Sequence, residues 1–171
     1  MSNVIFIGMP YSGKSFVGSH FAKKYNKQFI DPDKIIETEY GTKLGNIIKK
    51  YSLSEFMNIE KKVLKNLYKV RNSVISPGGS IIYYDDIIKE LKKNSIFVYL
   101  DVDLKILKRR ITNMEDRGIV MKPGTTYDSL YYDRTLLYNK YCDIKINYNN
   151  DTNLTNLVHN IYVEYKNKIE N

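Results

Sequence analysis

Gly8-Met9-Pro10-Tyr11-Ser12-Gly13-Lys14-Ser15 has the spacing G-x-x-x-x-G-K-[ST], in which every specified residue type has a phosphate to serve. The glycines let consecutive backbone amides turn toward phosphate oxygens, and a helix starting at the end of the loop adds the positive end of its dipole. Lys14 can bridge the β and γ phosphates and Ser15 can ligate magnesium. Such chemistry makes Gly8, Tyr11, Ser12, Gly13, Lys14, Ser15 and Phe16 candidate nucleotide-binding residues. The competing reading is a glycine turn leading into an ordinary helix that carries an exposed lysine.

Phosphate binding alone does not separate a switch, a motor and a kinase, so the downstream charges matter. Phe29-Ile30-Asp31-Pro32-Asp33 sets two carboxylates just past a strand-like run, where the crevice of an open α/β sheet lies. Asp33 also stands where a helix is expected to begin, and a helix-capping role is open to it. His20 and His159 fall in helical patterns without neighbouring Cys or acidic residues at metal spacing, which reads as packing or surface. Tyr131, Tyr132 and Tyr138 read as helix packing.

The elements that must hold these groups follow from periodicity and punctuation. Asn3 to Gly8 is a short β-branched and aromatic run closed by glycine, a buried strand. A helical pattern runs from Gly13 to about Tyr25 with a lysine-rich end. Gln28 to Ile30 predicts a second strand, and Ile35, Ile36 and Tyr40 predict a helix that Gly41 terminates. Ser52-Leu53-Ser54-Glu55 matches a capping box opening a helix to about Val70. Ser73 to Ser76 reads as strand and meets the turn Pro77-Gly78-Gly79, followed by an apolar periodic segment over Ile87 to Leu91. Ser95 to Leu100 is the clearest buried strand. Helices are expected near 103–111, 126–141 and 152–168, with a last short strand at Ile144 to Ile146. The alternation predicts a parallel sheet covered by helices.

At 171 residues, without an internal repeat or a linker-like break, the chain reads as one domain over 1–171. The 27 basic against 19 acidic residues leave a net charge of +8 and a pI near 9.3, which calls for anionic partners without choosing among them. The lysines are spread throughout, so the charge reads as compositional bias rather than as a nucleic-acid surface. A lone cysteine, Cys142, excludes an intramolecular disulfide and a Cys-rich zinc site. Apolar runs are far shorter than the ~20 residues of a membrane-spanning helix, so no membrane partner is expected. The N-terminus shows no basic region ahead of an apolar one, and a cytoplasmic location is expected.

From Asn3 to about Ile146 the chain resembles shikimate kinases, a small-molecule branch of the P-loop kinases. The resemblance rests on GMPYSGKS, FIDPD, the FMNIE segment where the family has F-R-x-x-E, SPGGS, a basic loop around Arg117, and DRTLLYNKYCD, similar to the family's R-x-P-L-Y-x-x-x-A-D. It implies a three-layer α/β/α P-loop kinase fold with a short, five-stranded parallel sheet. The implied activity is ATP-dependent phosphorylation of a hydroxyl on a small metabolite, shikimate to shikimate 3-phosphate, with ATP and Mg2+ as cofactors and a monomer as the acting form. Asp33 would then accept the proton of the attacking hydroxyl, Asp31 would hold magnesium through water, and Ser15 would ligate it directly. Lys14 and Arg117, the latter from a lid over 112–125, would offset charge on the transferring group. Arg110 would lie against adenine, as against a plain surface role. Gly78 and Gly79 would let backbone amides approach the substrate, and Glu60 and Arg134 would complete its site, Arg134 binding a carboxylate.

Met57 stands where the family's other carboxylate-binding arginine belongs, and a thioether supplies neither charge nor a donor. Lys61, four residues on, could substitute if that helix face points inward. Ser80 replaces a glycine of the family, Tyr11 often a glycine, and Phe16 often a threonine. A related kinase for another hydroxylated metabolite, a non-catalytic nucleotide-binding relative and an RNA-binding module remain the alternatives.

Overall fold

In the computed structural model, residues 2–112, 118–122, 124–149 and 152–170 are described. Five strands form one parallel sheet in the order β2-β3-β1-β4-β5: β1 Asn3–Ile7, β2 Gln28–Ile30, β3 Ser73–Ile75, β4 Ser95–Asp101 and β5 Ile144–Asn147. The register runs through Val4 opposite both Val74 and Ile96. The chain leaves β1 toward β2 and leaves β3 toward β4. The strand order thus reverses between β1 and β3, and a ligand crevice opens at their carboxyl ends.

Strands buried on both faces explain why their sequence reads as continuous apolar runs rather than as alternation. Ile5 and Ile7 join Phe97 and Tyr99 in a core on one face, while Val4 and Phe6 join Val98 and Leu100 on the other. Against the second face pack α1 (Lys14–Lys24) and α8 (Leu154–Glu170), through Val17, Phe21, Leu157 and Ile161. The first face takes α5 (Asp85–Lys92), α6 (Leu104–Arg110) and α7 (Tyr127–Tyr141). Three layers result, as expected.

A third cluster, of Ile36, Leu44, Ile47, Phe56, Val63 and Val120, gathers α2 (Pro32–Tyr40), α3 (Leu44–Lys50) and α4 (Leu53–Lys65) beside the crevice. The capping box forms as predicted, Glu55 N–H donating to Ser52 Oγ at 3.2 Å and Ser52 N–H to Glu55 Oε2 at 2.7 Å. Gly41 ends α2 in the left-handed region at φ 65°. Two differences stand out. The helix expected to reach Val70 stops at Lys65 and tightens into a 3₁₀ turn over Asn66–Lys69. Helix α3 carries no strong sequence signal; its basic cap residue Lys43 makes no side-chain cap, so tertiary burial of Leu44 and Ile47 decides it.

Candidate active site

The phosphate loop follows β1 and leads into α1, as the spacing predicts. Gly8 and Gly13 take φ of 147° and 89°, and Tyr11 sits at 68°. A non-glycine residue held there stores roughly 1–3 kcal/mol of strain, of a kind that clusters at ligand-binding loops. Lys14 is buried, and its Nζ donates to the carbonyls of Gly8 and Met9 at 2.9 Å each. Ser12 is wholly buried and its Oγ has no hydrogen-bond partner, an orphan that a phosphate oxygen would satisfy. Phe16 is half exposed and its ring lies beside His20, 4.5 Å between centroids.

Asp31, not Asp33, is the N-cap of α2. Its side chain accepts from Lys34 N–H at 3.2 Å and from Ser15 Oγ at 2.8 Å, joining the cap to the first turn of α1. This hydroxyl and carboxylate are hard oxygen donors side by side, a set that suits magnesium. Asp33 lies one residue past Pro32 inside α2 and is 7% exposed. The capping alternative for Asp33 is thereby removed.

Beyond Asp33 the crevice closes into a small chamber lined by Asp33, Glu60, Gly78, Gly79, Ser80 and Arg134. These residues come from four separate segments of the chain, and the structure thus brings together the expected acceptor-side residues. Glu60 is 2% exposed and accepts from Ser80 Oγ and Tyr84 Oη at 2.5 Å each. Burial pushes its carboxyl above the ordinary value of 4.5, while the two hydroxyls and the Arg134 charge pull it back. Arg134 is 1% exposed; its Nε donates to Tyr83 Oη at 3.1 Å and a terminal nitrogen donates to the Val120 carbonyl.

The glycine turn borders the chamber as expected and also makes room for its charged groups. A Cβ on Gly78 would lie 2.8 Å from Glu60 Oε1 and 3.1 Å from Asp33 Oδ1, and one on Gly79 would lie 2.8 Å from an Arg134 nitrogen. The missing side chains make room for buried charged groups beside the chamber. Lys61 does not replace the absent arginine: its Nζ sits over the Tyr84 ring at 5.1 Å. Met57 packs between two cores and lines a neighbouring cavity.

On the nucleotide side, Arg110 donates to the Tyr11 carbonyl at 3.4 Å and its guanidinium covers the Tyr148 ring at 5.1 Å. These contacts put it against the phosphate loop. Arg117 lies outside the described residues, as do 113–116 and Pro123 of the expected lid. Within the lid span, Val120 is buried in the third cluster.

Reading the sequence missed the tyrosines that brace these loops. Tyr127 donates to the Pro10 carbonyl at 2.7 Å and Tyr138 to the Gly79 carbonyl at 2.8 Å. Tyr138 therefore positions a loop as well as packing, and Tyr132 is 64% exposed and packs little. A signal was present: Tyr127, Tyr131, Arg134, Tyr138 and Tyr141 recur at helical spacing, which sets one polar-tipped face of α7 toward the site.

The pairing of Glu60 predicts a pH effect on stability. A carboxyl whose folded pKa is raised binds more protons in the folded state, so its contribution falls as pH rises from the unfolded value of 4.5 through the higher folded one. In urea titrations, the unfolding free energy of Glu60→Gln minus that of wild type should grow with pH above about 4.5. A difference that stays level, or shrinks, would mean that burial does not dominate this carboxyl.

A phosphate loop after β1, a metal-suited Ser15–Asp31 pair beside it and a buried carboxylate facing a closed acceptor chamber define a P-loop kinase of small molecules. The family model for shikimate kinase matches residues 10–167. A shikimate kinase of Clostridium botulinum is 35% identical over 161 residues, 92% of this chain and 95% of that protein. One from a Sulfurihydrogenibium species is 33% identical over 147 residues, 86% and 88% of the two chains. Among solved structures, the shikimate kinase of Aquifex aeolicus superposes with a TM-score of 0.83 at 26% identity, covering 98% of each chain. That of Acinetobacter baumannii, in complex with shikimate, gives 0.85 at 25%, covering 98% of this chain and 95% of that one. The chain belongs to the shikimate kinase family, and it is a phosphotransferase that uses ATP and acts on a hydroxyl group.

Proposed function

We propose that the chain transfers the γ-phosphoryl group of ATP to the 3-hydroxyl of shikimate, with Asp33 as the group that takes the hydroxyl proton. The observation that carries this reading is the chamber itself. Asp33, Glu60 and Arg134 line it together with Pro10 of the phosphate loop, a set in which an acid-binding group, a proton acceptor and the loop adjoin one space. Lys14, now bonded to the Gly8 and Met9 carbonyls, would exchange them for phosphate oxygens and offset charge as the transfer proceeds. Arg117 is proposed to add to that charge from the lid over 112–125, and Arg110 to lie against the base.

Ser15 and Asp31 would hold Mg2+, Asp31 through water; the ion would neutralise charge on the phosphates. The paired hard oxygens at 2.8 Å support that assignment. We further propose a single domain acting as a cytoplasmic monomer without nucleic-acid or membrane partners. Among the described residues no helix is long and apolar enough to cross a membrane.

The reading is tested by a coupled ADP-release assay with Mg2+ and ATP across shikimate and other hydroxylated acids. Turnover should require shikimate and should stop on chelation of magnesium. ATP binding without turnover of any candidate acceptor would leave a nucleotide-binding relative, and salt-sensitive oligonucleotide binding in its place would favour an RNA module.

A further inference from the structure

Ser80 to Tyr84, the segment directly after Gly79, holds both Glu60 and Arg134. It forms a 3₁₀ turn over Ile81–Tyr83, in which Tyr83 N–H donates to the Ser80 carbonyl at 2.9 Å and Tyr84 N–H to that of Ile81 at 3.0 Å. Ile81, Ile82 and Tyr84 are each 1% exposed, whereas Tyr83 is 40% exposed. Burial of the two isoleucines in the core anchors the turn and sends the adjacent tyrosines to different partners. Tyr84 donates inward to Glu60, which Ser80 also holds. Tyr83 meets Arg134.

That second meeting has two parts. Tyr83 Oη accepts from Arg134 Nε at 3.1 Å, and the guanidinium carbon lies 5.2 Å from the centre of the Tyr83 ring. The hydrogen bond holds one edge of the guanidinium while the ring supports it as an aromatic surface, so its position and its plane are both constrained. With Nε engaged, a carboxylate in the chamber takes the terminal nitrogens of the fork. One of these also donates to the Val120 carbonyl. The other lies 2.8 Å from the point where a Gly79 Cβ would stand, with Tyr138 Oη 2.9 Å from the same point. Arg134 lines the chamber, and among the described residues Tyr83 is not part of that lining. Tyr83 is thus placed to act on an acceptor through Arg134.

We propose that Tyr83 is a positioning residue for acceptor recognition, its hydroxyl and ring aiming the Arg134 guanidinium at the acceptor's carboxylate. The proposal rests on the reading of Arg134 as the group that binds the carboxylate of shikimate.

The test compares Tyr83→Phe and Tyr83→Leu with wild type in steady-state kinetics, ATP and shikimate varied separately, at a temperature where circular dichroism shows all three proteins folded. Tyr83→Phe keeps the ring and removes one oxygen. It is expected to raise the KM for shikimate about three- to ten-fold, the scale of one hydrogen bond, with kcat and the KM for ATP at wild-type values. Tyr83→Leu removes the ring as well and should raise that KM further. Shikimate with its carboxylate reduced to a hydroxymethyl group, used as a competitive inhibitor, should inhibit all three proteins alike. An unchanged shikimate KM in Tyr83→Phe would overturn the proposal. So would a rise in both KM values, or an equal loss of affinity for the neutral inhibitor, either of which would make Tyr83 a support of the site's general shape. Wild type that does not phosphorylate shikimate at all would overturn the underlying reading, and the proposal with it.

Discussion

Asp33→Asn is expected to lower kcat by about 10²- to 10⁴-fold, the usual cost of removing a general base, while leaving ATP affinity nearly intact. The amide keeps the shape of the side chain and cannot accept the proton. The fold should tolerate the change, because the cap of α2 is made by Asp31, and losing one charge in the first turn costs only ~0.3–1 kcal/mol. Asp33 borders the acceptor chamber, with its Oδ1 beside Gly78. The nucleotide loop is reached through Asp31 and Ser15 instead. Coupled ADP-release kinetics with calorimetric titration of ATP separates the two effects. An unchanged kcat would show that the acceptor's proton leaves by another route.

Lys14→Ala should be nearly as severe and should differ in kind. Removing a preorganised cation from a transferring phosphoryl group costs on the order of 10²- to 10³-fold in rate. Lys14 also ties the loop together through the Gly8 and Met9 carbonyls, so ATP affinity should fall with turnover. A calorimetric ATP affinity equal to that of wild type would contradict this assignment. Read together, the two variants divide the site: one loses chemistry with binding retained, the other loses both.

The separation between these residues is itself a product of the fold. Ser15 and Asp31 meet because α1 and α2 begin at the carboxyl ends of β1 and β2, two strands that are not neighbours in the sheet. The Tyr127 and Tyr138 hydroxyls then brace the phosphate loop and the glycine turn from α7. The acceptor side is therefore held by buried polar contacts, whose removal leaves unsatisfied groups.

What the amino-acid sequence determined by itself is what depends on neighbours a few residues apart. The phosphate loop is contiguous, the Ser52–Glu55 capping box closes over three residues, Gly41 needs only its own φ, and each buried strand announces itself by an apolar run. From these the five strands, their alternation with helices and the nucleotide site were legible. The order of motifs from FIDPD to DRTLLYNKYCD pointed by resemblance to the residues expected on the acceptor side. What only the tertiary structure decided is every property that joins distant segments. Asp33 could cap α2 until the helix began at Pro32, capped by Asp31 two residues before Asp33. Lys61 could face the acceptor until its helix turned it onto Tyr84. Gly78 and Gly79 read only as a turn until Glu60 and Arg134 are seen to need the space a Cβ would take. Helix α3 was missed because burial, not local capping, stabilises it. The physical reason is common to all four: local hydrogen bonds and periodicity are written in adjacent residues, whereas which charge is buried against which partner depends on how the sheet and its helices pack.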